Sequence, residues 1–263
     1  MSNFVTGIVG QLKKKEIQGI PEILAFNFMM ALIPMLIIFF QILAFLSIET
    51  TMFDETIAQF LPEEMYAFIM EFLETASLGL DDHPLLLAVT AITLTLTISK
   101  GVNGIFKAFL ITYDETVDVP GYRHRITSVL TFFLLLAFSA LAALFITTSH
   151  VVFARFPTII STIAESGILI FLCFTFFFLL FKLAPNQQKS FKRLLPGCLV
   201  TTVGFIVTTI VFTYYVDRLA NFHLVYGSLA IIIILLTWLF LLGWVINLGI
   251  QVNYVLQQKS TSE

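Results

Sequence analysis

Long apolar runs, separated by shorter polar stretches, dominate the sequence. A transmembrane helix needs about 20 predominantly apolar residues to cross the roughly 30 Å hydrocarbon core of a bilayer. Six runs reach or approach that length, and the fourth is the shortest. The pattern predicts an all-α protein: a polytopic membrane bundle of six transmembrane helices with an amphipathic helix on its outer side. The predicted spans cover residues 23–47, 85–111, 127–149, 167–184, 195–216 and 228–254.

The composition is also typical of a membrane protein. Of the 263 residues, 58% are hydrophobic and 12% are charged, whereas soluble domains carry about 25% charged residues. The formal net charge of −3 argues against nucleic acid as a partner, because phosphate binding requires a basic surface. We therefore expect membrane lipids, and no nucleic acid, among the partners of the chain.

Lys and Arg residues are distributed unevenly between the connections. Cytoplasmic connections of membrane proteins are enriched in these residues. One side, which includes both termini, holds eleven of them, and the other side holds only Arg155 and Arg218. The asymmetry predicts that both termini are cytoplasmic. The eleven residues are Lys13, Lys14, Lys15, Lys107, Arg123, Arg125, Lys182, Lys189, Lys192, Arg193 and Lys259.

A single membrane domain, residues 23–256, is predicted between two short cytoplasmic segments. In the N-terminal segment, residues 1–22, a mildly amphipathic stretch leads into three lysines. We expect this segment to lie on the inner membrane surface, where anionic lipids attract the lysines. Residues 257–263 are predicted to be a cytoplasmic tail.

The longest connection, residues 48–83, contains nine acidic residues and no Lys or Arg. After Pro62, apolar residues recur at helical spacing. Pro62 followed by Glu63 and Glu64 is a favourable helix start, because proline fits the first turn and acidic side chains there complement the helix dipole. We therefore predict that an acidic amphipathic helix covers the outer face of the bundle.

Lys100 is an ionisable residue inside the second predicted span. A charge within the bilayer is costly and usually faces the protein interior or a water-filled cavity. Thr93, Thr97, Gly104 and Lys107 share its helix face by spacing. One interpretation is a cavity that accepts an anionic headgroup or a carboxylate. The other is that Lys100 snorkels to the cytoplasmic interface, since the span ends about ten residues later.

A small and polar stripe follows the sixth predicted span. Gly243, Asn247 and Gln251 recur every four residues and therefore share one helix face. Such stripes most commonly let helices approach and hydrogen-bond to each other. Contact with a substrate is the alternative. Asn253 lies off this stripe, and we expect it to be solvated near the inner end.

Pro34 lies in the middle of the first span, where it removes a backbone hydrogen bond. Asn27 lies seven residues earlier, on the same face. A kink beside a polar side chain is typical of binding sites and gates in transporters with broken helices. Prolines are also frequent in membrane helices, so an ordinary kink is the alternative.

The outward connection before the sixth span is short, polar and aromatic. It contains Asn221, Tyr226 and Gly227, and tyrosine is enriched at the membrane interface. We expect these residues to form an ordered outer turn.

Motifs of soluble enzyme chemistry are absent from the sequence. It contains no H-E-x-x-H, Cys-x-x-Cys, Walker or G-x-S-x-G motif. The four histidines do not have metal-binding spacing, and Asp114, Glu115 and Asp118 are more typical of a solvated helix end than of a metal site. We expect no enzyme activity, no catalytic residue, no metal and no cofactor.

Several local motifs carry a resemblance to a known family. They are the stretch N-F-H-L-V-Y-G-S-L at 221–229, then Trp238, Gly249 and Asn253, together with Pro34, Asn103 within 100–113, and Pro196-Gly197. On these residues, and over nearly its whole length, the chain resembles the YihY/virulence factor BrkB family of bacterial inner-membrane proteins.

The resemblance implies six spans in a bacterial plasma membrane, with both termini inside, and a role in transport, lipid movement or the envelope. An acidic residue often occupies the position of Gln251 in the family, so this departure weakens a proton-coupling role here. The family once carried a ribonuclease label, but the cytoplasmic connections of this chain are short and poor in acids.

Two main functional hypotheses follow, and a membrane-bound ribonuclease is a distant third. The first is a transporter or lipid-translocating protein with a cavity for an anionic lipid or small molecule, in which Lys100 holds the anion and Asn27, Asn103 and Asn247 supply hydrogen bonds. The second is a non-transporting envelope scaffold that binds a partner through the acidic outer helix. The sequence leaves the oligomeric state open.

Overall fold

The computed structural model describes residues 2–45, 92, 101–113, 126–131, 133–134, 136–138, 140–141, 145, 148, 158–184, 191–218 and 229–262. Every regular element within these residues is an α-helix, which confirms the all-α prediction for this part of the chain. The helices are α1 (Ser2–Leu12), α2 (Lys15–Gln18), α3 (Ile20–Phe45), α4 (101–113), α5 (Ile126–Phe138), α6 (Thr158–Leu183), α7 (Phe191–Arg218) and α8 (Leu229–Ser262).

Three of the described helices are long and apolar enough to cross a membrane. The qualifying segments are Ile160–Leu183 in α6, Phe191–Val216 in α7 and Ile232–Gln258 in α8. At 1.5 Å per residue, each exceeds the roughly 30 Å hydrocarbon thickness. They correspond to the fourth, fifth and sixth predicted spans, and the full count of six stays a prediction.

Two helix boundaries differ from those that hydropathy predicted. Helix α6 begins at Thr158 rather than at residue 167, so the fourth span is not short. Its first turns contain the polar residues Ser161, Thr162 and Glu165. A helix satisfies its own backbone hydrogen bonds, so it can extend from the apolar part of the sequence into polar residues at the level of the lipid headgroups. Helix α8 continues to Ser262, through most of the predicted tail.

Helix α8 is the central element among the described helices. It packs against α7, α3 and α1, and α6 packs against α7. Glycines allow the closest approaches, since a Cβ atom on Gly204 would lie 2.8 Å from Val245 Cγ1 and one on Gly243 would lie 2.7 Å from the Pro21 carbonyl oxygen. Small residues at such crossings let helix backbones come together.

Helices α3 and α4 form a second close pair. A Cβ atom on Gly101 would lie 2.7 Å from Ala31 Cβ, and one on Gly104 would lie 3.0 Å from Asn27 Cβ. The two glycines thus pack α4 directly onto the start of α3.

The apolar core is concentrated at one end of the bundle. Buried side chains lie at the starts of α3 and α7 and at the ends of α4, α6 and α8; they include Ile20, Leu24, Phe106, Phe109, Phe181, Leu194 and Ile250. Exposed basic residues surround this end: Lys13, Lys14, Lys15, Lys107, Lys182, Lys192 and Arg193. We call it the basic end. Away from the basic end, Phe171 of α6 and Val207 and Ile210 of α7 are exposed, as lipid-facing side chains would be.

Candidate functional site

Three amide side chains of α8 are fully buried at the basic end. Asn247, Gln251 and Asn253 have no exposed surface. An amide removed from water costs several kcal/mol unless it finds hydrogen-bond partners. The partners of these amides therefore show what each one does.

Gln251 and Asn247 connect α8 to α4 and to α2. The Gln251 Nε2 atom donates to Thr112 Oγ1 at 2.8 Å and to Asn247 Oδ1 at 3.2 Å. The Asn247 Nδ2 atom donates to the Ile17 carbonyl oxygen at 3.4 Å. We call these four residues the Gln251 cluster. The polar stripe therefore makes helix contacts, and Gly243 on the same stripe lies against Pro21.

One acceptor in this cluster is left over. Gln251 Oε1 is buried and has no hydrogen-bond partner among the residues that the structure describes. A buried acceptor without a partner costs about 1–3 kcal/mol. With respect to the described residues, Gln251 Oε1 can therefore accept a hydrogen bond from one further donor.

Asn253 corrects a prediction, because it is buried rather than solvated. Its Oδ1 atom accepts from the Gly197 backbone N–H at 2.7 Å, and its Nδ2 atom donates to the Leu194 carbonyl at 3.2 Å. Pro196 lacks an N–H and disturbs the helical bonds of α7 at this turn, so the amide supplies partners for backbone groups there.

Thr201 and Gly249 complete this contact. The Thr201 hydroxyl donates to the Gly197 carbonyl at 2.9 Å, and a Cβ atom on Gly249 would clash with Thr201 Oγ1. We call Asn253, Gly197, Leu194, Thr201 and Gly249 the Asn253 clamp. It fastens α8 to α7.

Asn103 and Asn27 lie in the neighbouring α3–α4 region. The half-buried Asn103 accepts a hydrogen bond from the buried Ser128 hydroxyl of α5. The Asn27 amide donates to the Ile23 carbonyl of its own helix at 2.6 Å, and its side chain packs on Gly104.

The predicted site residues are thus only partly brought together. Asn247 and Gln251 bond directly, whereas Asn27 and Asn103 belong to the α3–α4–α5 contacts. Pro34 lies within α3, but its side chain is outside the described residues, and so are Lys100, Asn221, Tyr226 and Gly227. The acidic segment 48–83 is outside them as well.

Sequence reasoning missed several buried polar residues: Thr112, Ser128, Thr131, Thr201 and Thr202. Hydroxyl groups in apolar helices give little signal because they can bond to the carbonyl four residues earlier, as Thr131 and Thr202 do here. The sequence feature that could have predicted the clamp is Asn253, a polar residue four positions after Gly249 and therefore on the same face of α8.

The chemistry of these contacts is neutral hydrogen bonding. Among the described residues, no group of three or more His, Cys, Asp or Glu side chains is arranged to hold a metal ion. The nearby cations that the structure describes, such as Lys107 and Lys192, are exposed rather than directed into the core.

Comparison with known proteins gives a consistent family assignment. The sequence profile of the family described as Virulence factor BrkB matches residues 8–263. The chain is 27% identical over 250 residues to ribonuclease-like protein YfkH of Bacillus subtilis (strain 168), a match that covers 90% of this chain and 88% of that relative.

Two further relatives are named UPF0761 membrane proteins. The one from Chlorobium phaeobacteroides is 28% identical over 240 residues, covering 86% of this chain but 50% of the relative. The one from Pseudoalteromonas atlantica is 24% identical over 248 residues, covering 89% of this chain and 79% of the relative. No solved structure matches the chain.

Proposed function

The chain belongs to the virulence factor BrkB family, and from this premise we propose that it is a transporter or lipid-translocating protein of the bacterial plasma membrane. Its substrate is anionic or amphipathic and passes through an intramembrane cavity. The termini are cytoplasmic in this proposal, and the exposed basic residues around the basic end support that orientation.

The buried polar groups within apolar helices carry this proposal. Asn247 and Gln251 lie in a helix segment apolar enough to cross a membrane, and Gln251 Oε1 has no partner among the described residues. Their bonds to Thr112 and to the Ile17 carbonyl join helices, as polar side chains in membrane bundles often do, and the spare oxygen of Gln251 is what these contacts do not use. A buried polar group without a partner has an unfavourable desolvation free energy inside a membrane, and such groups commonly mark a substrate or ion pathway.

Lys100 is the proposed anion-binding residue. It directly precedes Gly101, which packs on Ala31 and the backbone of Asn27. Asn27, Asn103 and Asn247 are proposed hydrogen-bonding groups, Gln251 supplies the spare acceptor, and Pro34 gives α3 a site for bending.

Native mass spectrometry of the protein extracted with its lipids tests the role of Lys100. We expect the wild type to retain a specific anionic lipid or metabolite, and Lys100→Ala to retain at least about tenfold less, because a hydrogen bond to a charged group contributes about 1.5–3 kcal/mol. Lys192→Ala is the control, since this exposed lysine lies at the start of α7. Equal and unselective lipid in all three proteins would mean that Lys100 snorkels instead.

An envelope scaffold is the second candidate function. The nine acidic residues of segment 48–83, without a Lys or Arg among them, would form a fixed negative field that attracts a basic partner. Deleting residues 54–74 separates the two functions. Loss of the cellular function in a folded deletion protein favours the scaffold, whereas cargo binding and cellular function that both persist without the segment favour the transporter, because its cavity lies within the membrane bundle.

We also propose that the chain is not an enzyme, although one relative is named ribonuclease-like. The cytoplasmic segments contain few carboxylates, whereas two-metal hydrolysis requires several that converge. Ribonuclease activity of the purified protein that disappears when Asp114 and Asp118 are replaced by asparagine would overturn this part of the proposal.

A further inference from the structure

We propose that the turn between α1 and α2 is a binding surface for the headgroups of anionic phospholipids. Three consecutive residues, Lys13, Lys14 and Lys15, lie at this turn and are exposed; we call them the lysine turn. The inference goes beyond the proposed function and does not depend on it, because these lysines are not among the residues proposed to hold cargo.

The backbone of the lysine turn is ordered by hydrogen bonds. The Lys13 N–H donates to the Val9 carbonyl at 3.2 Å, and the Lys14 N–H donates to the Gln11 carbonyl at 3.0 Å. The Lys14 carbonyl in turn accepts from the Ile17 N–H at 3.0 Å. The lysine backbones are therefore held in one arrangement before a ligand arrives, which lowers the conformational entropy lost on binding.

Contacts with α8 anchor the lysine turn on both sides. Before the turn, α1 packs on α8, where a Cβ atom on Gly7 would lie 3.2 Å from Val255 Cγ1. After the turn, the carbonyl of the buried Ile17 accepts from Asn247 Nδ2 at 3.4 Å. Asn247 and Val255 are eight residues apart, about 12 Å along the helix. The lysine turn is thus attached beside the last turns of the apolar part of α8.

This attachment gives the lysine turn the depth of the lipid headgroups. The segment of α8 that is long and apolar enough to cross a membrane is Ile232–Gln258. Its length is about 40 Å at 1.5 Å per residue, and the hydrocarbon core of a bilayer is only about 30 Å thick. The last turns of this segment therefore reach the headgroup region, and the lysines beside them meet phosphate groups there.

The side chains around the turn fit an anionic bilayer surface. Val9, one helical turn before Lys13, is apolar and 42% exposed, and apolar residues beside lysines are typical of segments that bind anionic interfaces. The exposed acidic residues nearest in the described sequence are Glu16 and Glu22, so the three lysines outnumber them. Other exposed cations of the basic end add to the positive charge: Lys107, Lys182, Lys192 and Arg193.

Native mass spectrometry of the delipidated protein tests this surface, with phosphatidylglycerol and phosphatidylcholine of equal acyl chains as the added lipids. We expect the wild type to bind phosphatidylglycerol in preference. Replacing all three lysines of the turn by glutamine should weaken phosphatidylglycerol binding roughly 10- to 100-fold, because each lysine at an anionic surface strengthens binding about fivefold. Replacing all three by arginine keeps the charge and should keep the preference.

The matched control removes the same charge from exposed positions on two other helices, by replacing Lys182, Lys192 and Arg193 with glutamine. We expect it to weaken binding at most about threefold, because isolated surface charges contribute little. Equal losses in the two glutamine variants would overturn the inference, since the binding would then follow the overall charge of the basic end. Loss of binding in the arginine variant, or equal binding of both lipids by the wild type, would also overturn it. Binding that Lys100→Ala abolishes and the lysine-turn variant retains would belong to the proposed cavity instead, and would likewise contradict the inference.

Discussion

Replacing Gly249 by leucine prevents the protein from reaching a stable folded state. A Cβ atom at this position would clash with Thr201 Oγ1 and lie 2.8 Å from the Gly197 carbonyl oxygen. The carbonyl is backbone and cannot turn aside, so α8 would have to move away from α7 and break the Asn253 clamp. The smaller change Gly249→Ala already costs about 1–3 kcal/mol by overpacking.

Gly167 is the matched control for this substitution. It lies in α6, also within a segment long and apolar enough to cross a membrane, and a Cβ atom there would meet nothing within 4 Å. Gly167→Ala should therefore be neutral or slightly stabilising, because alanine is the better helix former by about 1 kcal/mol. Size-exclusion profiles and thermal unfolding in detergent measure both effects. A well-folded Gly249→Leu protein would show that α7 and α8 are not in contact at this point.

Asn253→Leu is expected to destabilise the protein by about 2–4 kcal/mol without preventing insertion. Leucine has a similar size, but it removes the partners of the Gly197 N–H and the Leu194 carbonyl. Each buried backbone group left without a partner costs about 1–3 kcal/mol. The midpoint of thermal unfolding should fall by roughly 5–15 °C, since 1 kcal/mol corresponds to about 2–4 °C in a chain of this size.

Gln258→Leu is the control for Asn253→Leu. The Gln258 side chain is exposed on the same helix and donates to the Tyr254 hydroxyl at 2.6 Å, and exposed substitutions usually change stability by less than about 0.5 kcal/mol. Equal unfolding midpoints for Asn253→Leu and the wild type would mean that the amide does not fasten α7 to α8.

The helices themselves were predictable, but their ends were not. Hydropathy reports where side chains prefer lipid, so it located the apolar parts of α6, α7 and α8. A helix ends where its backbone bonds end, which is a different physical criterion. This explains why α6 begins among polar residues at Thr158 and why α8 continues to Ser262.

The spacing of polar residues in the sequence predicted one of the two polar contacts of α8 but not the other. Residues four apart lie on one helix face, and this spacing identified Asn247 and Gln251 as a polar stripe. Asn253 lies about 200° around the helix from Gln251, so it falls off that stripe. Helix α8 has neighbours on two sides, α3 and α7, and a helix between two partners carries a separate set of contact residues for each. Their identity depends on tertiary packing, which periodicity in one helix does not report.

The direct test of the proposed function is movement of a fluorescent phosphatidylglycerol between the leaflets of vesicles that contain the purified protein. We expect the wild type to accelerate this movement above protein-free vesicles, Lys100→Ala to abolish most of the acceleration, and Lys192→Ala to retain it. If folded wild-type protein moves the lipid no faster than empty vesicles, and also retains no small anion after purification, the transport proposal is wrong and the scaffold becomes the better explanation.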